Sequence, residues 1–217
     1  MAEYTIYIGN KNYSSWSLRG WLMLKQAGTP FTEVLIPLRG ATTRSEIMRH
    51  SPSGRVPALH HGDVTVWDSL AIGEYLAEIF PDGRLWPEDP RARAMARAVS
   101  AEMHSGFSAL RSHLPMNMRS SFPNRGVTPE AQADINRITA AWRDCRKRFG
   151  EGGAFLFGDL TIADAMYAPV VSRFRTYKIE LDEEAQRYGE AVWALPALQE
   201  WLAAARNEPM IIEDAEF

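Results

Sequence analysis

The sequence feature that most limits the fold of this chain is the disappearance of strand patterns beyond the segment Pro81–Pro87. Before this segment, short β-branched and aromatic runs alternate with stretches of helical spacing, whereas after it the apolar residues recur only at helical spacing. Strands that all precede a set of long helices predict an α/β domain followed by an all-α domain. The expected boundaries are 1–80 for the first domain, 81–88 for a linker and 89–217 for the helical domain.

The first domain is expected to open with a βαβ unit. Tyr4–Ile8 has the composition of a strand, and Leu18–Lys25 has helical spacing that ends before Gly28. Phe31–Ile36 is the second strand, and the connection predicts a parallel, right-handed pair.

A ββα unit is expected to follow an irregular stretch over Pro37–Gly54. Val56–Leu59 and Val64–Trp67 are the two strands, joined by a hairpin at residues 61–63. A helix is predicted over Asp68–Phe80, because Pro81 stands beyond its end.

The second domain shows its helices through their caps. Asp89 and Thr128 each precede a proline, which is favoured at the first position of a helix. Thr161 and Asp164 have the spacing of a capping box. The helix after Thr128 has one apolar stripe, formed by Ala131, Ile135, Ile138, Trp142, Cys145 and Phe149. Further helices are predicted over residues 183–193 and 196–206.

Composition excludes several classes of function. A formal net charge of −3 argues against a nucleic-acid binder, which needs a surplus of clustered cations. One cysteine, Cys145, allows no internal disulfide, and its place on the apolar stripe predicts a core residue. No metal site is expected, because His60 and His61 point to opposite faces of a strand. The chain has neither a secretory leader nor a membrane-length apolar run, so a cytoplasmic protein is predicted.

The turn from the first strand into the first helix is the first place where chemistry is expected. Ser14 and Ser15 lie beside the free N–H groups and the positive dipole of a helix N-terminus, where a thiolate would be stabilised. Either serine could instead be an ordinary N-cap.

Two further segments of the first domain could hold a peptide-like ligand. A cis Val56–Pro57 bond would leave the Val56 amide and carbonyl free for such a ligand, although trans is the commoner form. Asp68 suits an ammonium group and Ser69 a carboxylate at the start of the next helix, where Asp68 could also be only a cap.

In this order, the three segments resemble the glutathione transferase superfamily over nearly the whole chain, including the linker and the capping box. The resemblance implies a thioredoxin-like first domain and a cis bond before Pro57. It also implies that glutathione is held by Arg55, by the Val56 backbone, and by Asp68 and Ser69.

Within the superfamily, the segment Ser14–Arg19 looks most like the zeta class, which includes maleylacetoacetate isomerases. Ser14 stands five residues before Arg19, the spacing of the catalytic serine in the serine-type classes, so it is the predicted thiol activator. Ser15 is one rival, and Tyr13, at the spacing of the tyrosine-type classes, is another. Trp16 departs from the zeta pattern, which generally has cysteine there.

The second substrate is expected in a pocket on the long helix after the linker, where the family resemblance implies Met103, His104, Phe107 and Arg111 as lining residues. The predicted function is activation of the glutathione thiol for attack on a small apolar electrophile, by conjugation or isomerisation, with dehalogenase and peroxidase variants sharing the first step. The alternative is a non-catalytic interaction module. A homodimer is implied by the resemblance.

Overall fold

A computed structural model describes residues 3–216 of the protein. A four-stranded mixed sheet forms the first part of the fold. The strands lie in the order β2-β1-β3-β4, with β1 parallel to β2 and antiparallel to β3. Their bounds are β1 Tyr4–Ile8, β2 Phe31–Leu35, β3 Ala58–His61 and β4 Val64–Val66. The predicted βαβ and ββα units are therefore both present.

Helices α1 (Ser15–Ala27) and α3 (Ser69–Ile79) pack against each other and against the sheet. Ile6 and Ile8 of β1 are completely buried beneath them, as are Leu18 and Leu24 of α1. The alternating burial along β1 is what a strand with one face on the core requires.

The stretch predicted to be irregular over Pro37–Gly54 contains a short helix, α2, at Thr43–Met48. The sequence pattern did not predict this helix, because it has only six residues and buries only Ile47. The hairpin after β3 is also tighter than expected, since His61 belongs to the strand and Gly62 adopts a φ of 58° at the turn.

The remainder of the described chain contains helices joined by loops, and its only β pairing within the described residues is two isolated bridges near residue 157. After a 3₁₀ turn at Pro81–Gly83, the helices are α4 Pro90–Ser105, α5 Ser108–His113, α6 Pro129–Phe149, α7 Ile162–Thr176, α8 Glu183–Trp193 and α9 Pro196–Asn207. The predicted fold class is confirmed, while the division at residues 81–88 stays a prediction.

Helix α7 lies at the centre of the helical part and reaches the first part. It packs against α1, α4 and α8, and almost all of its residues are buried. The predicted capping box is present, with the Thr161 amide donating to Asp164 Oδ2 at 2.8 Å. The amide of Ile162 donates to the Leu85 carbonyl at 2.9 Å, which ties the start of α7 to the linker.

The prediction of one long helix after the linker is wrong, because the structure has two. Helix α4 ends at Ser105 and α5 begins at Ser108. A side chain at Gly106 would place its Cβ 2.8 Å from the Glu102 carbonyl oxygen, and Phe107 follows with a φ of 59°. The break turns α5 so that Arg111 lies beside the same cavity as His104 of α4.

Candidate active site

A cavity of about 870 Å³ lies where the loop before β3 and the start of α3 face α4 and α5. From the first part it is lined by Trp16, Ser53, Arg55, Val56, Pro57, Trp67 and Asp68; from the helical part it is lined by His104, Ser105, Gly106, Ser108, Arg111 and Ser112. Of the residues predicted for glutathione, Arg55, Val56, Pro57 and Asp68 line this cavity, whereas Ser69 lies behind Asp68 and does not. Two residues predicted for the second substrate line the same cavity.

The loop before β3 presents backbone groups to this cavity. The Val56–Pro57 bond is cis, as the family resemblance implies. Within residues 3–216, neither the amide nor the carbonyl of Val56 has a hydrogen-bond partner. Helix α1 approaches this loop closely at Gly20, where an added Cβ would lie 3.1 Å from Pro57 Cγ. Val56 is thus held in place with its backbone available.

The start of α3 offers a carboxylate and a buried hydroxyl. Asp68 follows a second cis bond, after Trp67, and caps the helix by accepting from the Leu70 amide at 3.0 Å. Its other oxygen, Oδ2, lies 2.9 Å from His104 Nε2. Ser69 is fully buried, and its hydroxyl has no partner in the described chain. An orphaned hydroxyl at a helix N-terminus fits a ligand carboxylate.

Ser14 is the N-cap of α1 and is almost completely buried. Its hydroxyl donates to Ser17 Oγ at 2.7 Å and accepts from the Ser17 amide at 3.4 Å. Ser17 Oγ also accepts from the Gly9 amide at 2.9 Å. Neither Ser14 nor Ser15 lines the cavity, although their neighbour Trp16 does. To reach the cavity, the Ser14 hydroxyl must turn away from Ser17.

Tyr13, the rival from the tyrosine-type classes, points elsewhere. Its hydroxyl donates to Glu216 Oε1 at 2.6 Å and accepts from Arg119 Nη2 at 2.7 Å. Asn12 is similarly committed, because its Oδ1 accepts from the amides of Met118 and Arg119. Both side chains hold the turn to the rest of the protein.

Three arginines that repel one another, Arg19, Arg111 and Arg173, form no ion pair with a carboxylate among the described residues, and two of them lie over Trp16. The guanidinium carbons of Arg19 and Arg111 lie 4.5 and 4.1 Å from the Trp16 ring centroid, which are cation–π distances. Burial, followed by repulsion from Arg111, holds the pKa of Arg19 well below its usual range. Burial also lowers the pKa of Arg111, and that of Arg173 to about 10. Such unpaired buried charge favours an anion nearby.

The structure brings only two of the four residues predicted for the second-substrate pocket to this cavity. His104 and Arg111 line the cavity, whereas Met103 is completely buried and Phe107 nearly so, and neither lines it. Met103 precedes His104 by one residue, so the two side chains point in different directions from α4. Sequence reasoning missed Ser105, Ser108 and Ser112, which line the cavity because of the break between α4 and α5.

Other parts of the described chain offer less chemistry. A second cavity of about 590 Å³, beside Trp142 and Phe174 in the helical part, contains none of the predicted site residues. Burial raises the pKa of the Cys145 thiol to about 12, so this cysteine is an inert core residue. No cluster of three or more potential ligands for a metal occurs in residues 3–216. In the same range, no helix combines the length and apolar character needed to cross a bilayer.

Comparison with known families gives two matches. Residues 13–79 match the N-terminal domain of glutathione S-transferases, and residues 126–204 match their C-terminal domain. Maleylacetoacetate isomerase of Rattus norvegicus is 30% identical over 199 residues, which cover 89% of both chains. Glutathione S-transferase 1 of Dianthus caryophyllus is 29% identical over 169 residues, covering 76% of this chain and 75% of that protein.

Solved structures agree with the sequence relatives. A glutathione transferase homologue from Burkholderia with bound glutathione superimposes with a TM-score of 0.73 at 26% identity, over 94% of this chain and 99% of that one. Human glutathione S-transferase T1-1 has the same fold, with a TM-score of 0.66 at 21% identity, over 99% of this chain and 91% of that one. Because both family models match and a relative is 30% identical over 89% of both chains, this chain belongs to the glutathione S-transferase family.

Proposed function

We propose that this enzyme activates the thiol of glutathione for reaction with a small electrophile that carries a carboxylate, in place of the apolar electrophile predicted from the sequence, because Arg111 lies at the cavity. The observation that supports this best is the shared cavity, where the free Val56 backbone and the Asp68 carboxylate face Arg111 across the gap between the two parts. An interaction module would not need this convergence of groups.

The first part of the protein would bind glutathione. The Val56 amide and carbonyl pair with the peptide backbone, and Asp68 accepts the ammonium group of the γ-glutamyl end. The Ser69 hydroxyl, which has no partner within the described residues, donates to the carboxylate beside that ammonium group. Arg55, which directly precedes Val56 and also lines the cavity, receives the glycine carboxylate. Asp68 keeps its contacts to the α3 amides while it shares its second oxygen between His104 and the ligand.

The turn before α1 would activate the sulfur. Bound glutathione supplies a thiolate nucleophile. Ser14 stabilises negative charge on the sulfur by rotating its hydroxyl away from Ser17, while its oxygen keeps the Ser17 amide. The N-terminus of α1 adds the favourable end of a helix dipole. Ser15 is the second choice, because it is adjacent and its hydroxyl has no partner in the described chain.

The wall formed by α4, α5 and Trp16 would bind the electrophile. Arg111 lies at the cavity and has no carboxylate partner among residues 3–216, so it is available to an anionic substrate. Glutathione-dependent isomerisation of a maleylacetoacetate-like compound fits this charge, and it is the reaction after which several relatives are named. As the resemblance implies, we also propose a cytoplasmic homodimer.

The test combines binding with activity. Calorimetry should show saturable glutathione binding that Asp68→Ala and Ser69→Ala each weaken by about 1–3 kcal/mol, since each removes a hydrogen bond to a charged group. Isomerisation of maleylacetoacetate should then be compared with conjugation of an uncharged aromatic halide, both at saturating glutathione. Absence of glutathione binding at millimolar concentration would contradict the proposal, and a preference for the uncharged halide would contradict the assigned substrate class.

A further inference from the structure

The segment that follows α9, Glu208–Glu216, lies against the turn that carries Ser14. This turn spans residues 9–14 and has few hydrogen bonds of its own, namely those from the Tyr13 and Ser14 amides to the Asn10 carbonyl at 3.1 and 2.8 Å. Its geometry therefore depends on what packs around it. The proposed thiol donor is at its end.

The Glu208 side chain makes the most direct of these contacts. Its Oε1 accepts from the Lys11 amide at 2.6 Å, and its Oε2 accepts from the Asn12 amide at 3.1 Å. The residue is only 9% exposed. Two successive amides that share one buried carboxylate form a charge-assisted pair of hydrogen bonds, which is stronger and more directional than a neutral pair.

Other groups brace the same arrangement from both sides. The Trp201 indole donates to the Lys11 carbonyl at 2.8 Å. This bond fixes the peptide group between Lys11 and Asn12, whose N–H is the second amide bound by Glu208. Arg119 Nη1 donates to the Glu208 carbonyl at 2.8 Å, so the residue that presents the carboxylate is itself held. The Lys11 ammonium lies 2.8 Å from Glu33 and leaves the Glu208 carboxylate to the two amides.

We propose that Glu208 is a positioning residue for thiol activation, which it serves by holding the turn that places the Ser14 hydroxyl. The inference rests on the proposed function, because it assumes that this turn activates glutathione. The Ser14 amide and the Asn12 amide belong to the same short turn, so a turn released at Lys11 and Asn12 carries Ser14 with it. Displacing a reacting group by about 1 Å is enough to reduce catalysis severely.

Replacing Glu208 removes both a charge and a hydrogen-bonding geometry, and these two losses shift the pKa of the bound glutathione thiol in opposite directions. Glu208→Gln removes a negative charge near the turn, and by Coulomb interaction alone this lowers the pKa of the bound glutathione thiol. It also sets an amide NH₂ group against a backbone N–H, so one hydrogen bond is lost and the turn is held less firmly at that amide, although its side chains stay bound. A displaced turn moves the Ser14 donor away from the sulfur and raises that pKa.

The experiment measures thiolate absorbance of the glutathione complex against pH, together with kcat and the KM for glutathione. We expect Glu208→Gln to raise the thiol pKa by about half a unit to one unit and to lower kcat. This shift is smaller than the one expected from complete loss of the hydrogen bond to the sulfur, because Ser14 is displaced and not removed. The KM for glutathione should stay within about twofold, because the groups that bind the tripeptide lie on the loop before β3 and on α3.

Glu208→Asp is the second variant, and Glu200→Gln is the control. Glu208→Asp keeps the charge but is one methylene too short to reach both amides, so it too should raise the pKa. Glu200 pairs with Lys25 on the exposed side of α9, and its replacement should leave the titration unchanged. A pKa that is lowered or unchanged in both Glu208 variants overturns the inference, even if their thermal stability falls. A wild type without a titrating thiolate overturns the proposed function instead.

Discussion

Ser14 has two separable roles, as the N-cap of α1 and as the proposed donor to the glutathione sulfur, and Ser14→Ala removes both. The N-cap role is worth about 0.5–2 kcal/mol of stability in general. Here the bond from the Ser17 amide is long, at 3.4 Å, so we expect a loss near the lower end of that range. The donor role is worth more, because a hydrogen bond to a charged group contributes about 1.5–3 kcal/mol.

The donor role translates directly into a pKa. Since one pKa unit corresponds to about 1.4 kcal/mol, losing the Ser14 hydroxyl should raise the thiol pKa of bound glutathione by about 1–2 units. The sign is positive because the hydroxyl stabilises only the ionised sulfur. At a pH below the thiol pKa of both proteins, Ser14→Ala should have a thiolate fraction, and therefore a kcat, about 10–100-fold below that of the wild type. This difference should shrink as the pH rises.

The assay needs a control that loses a helix cap without touching the site. Thr128 caps α6 by accepting from the Ala131 amide at 3.2 Å, and it does not line the cavity. Thr128→Ala should therefore lower stability to a similar extent and leave the thiolate titration unchanged. The reasoning is refuted if Ser14→Ala lowers stability but leaves the titration at the wild-type midpoint. In that case Ser15→Ala, or the backbone amides of the turn, should account for the activation.

Three further predictions concern other parts of the molecule. Arg111→Met should lower kcat/KM by about 10–100-fold for a carboxylate-bearing electrophile, whereas Arg111→Lys should lose less and an uncharged electrophile should be little affected; equal losses for both substrates would contradict this. Gly20→Ala should weaken glutathione binding measured by calorimetry, because the new Cβ would lie 3.1 Å from Pro57, although alanine is the better helix former; unchanged affinity would show that the loop yields. Burial raises the pKa of Asp164 to about 6 from the 3.8 of an exposed carboxyl. The protonated carboxyl therefore stabilises the folded protein fully below pH 3.8, and this stabilisation is lost as the pH rises through about 6, the pKa in the folded state. The excess stability of wild type over Asp164→Asn in denaturant titrations should thus fall by about 3 kcal/mol between acid and neutral pH, and a constant difference would contradict it.

Local patterns made much of the fold predictable from sequence. The strand at Tyr4–Ile8 and the helix at Glu183–Trp193 have the predicted bounds, because short-range periodicity and caps determine where such elements begin and end. The capping box at Thr161 is also local, since both partners lie within one helical turn. The residues that we propose for glutathione could be singled out from the sequence because each stands near the start of a predicted strand or helix.

Long-range contacts are the part that the sequence did not show. Glu208 meets Lys11 and Asn12 although nearly the whole chain separates them, and no local pattern distinguishes it from an ordinary surface glutamate at the end of a helix. The inward direction of Met103 beside the cavity-facing His104 depends on how α4 packs against α7, which periodicity alone does not fix. Side-chain direction and tertiary partners therefore set the limit of the prediction.

Trp16 joins the two halves of the proposed chemistry, and this gives a physical reason for its departure from the zeta pattern. The residue follows the serine pair of the turn that we propose to activate the thiol, while its ring contacts Arg111, which we propose to bind the electrophile, and lies edge-on to His104. Arg19, also over this ring, is anchored to the Met166 carbonyl of α7 at 3.0 Å. A cysteine offers no aromatic face to such guanidinium groups, so it could not stabilise two of them by cation–π contact. The Asp68 carboxylate in the same cavity is paired with His104, and neither Arg19 nor Arg111 forms an ion pair with a carboxylate among residues 3–216. The indole face therefore stabilises both guanidinium groups and leaves Arg111 available to the anionic substrate that we propose.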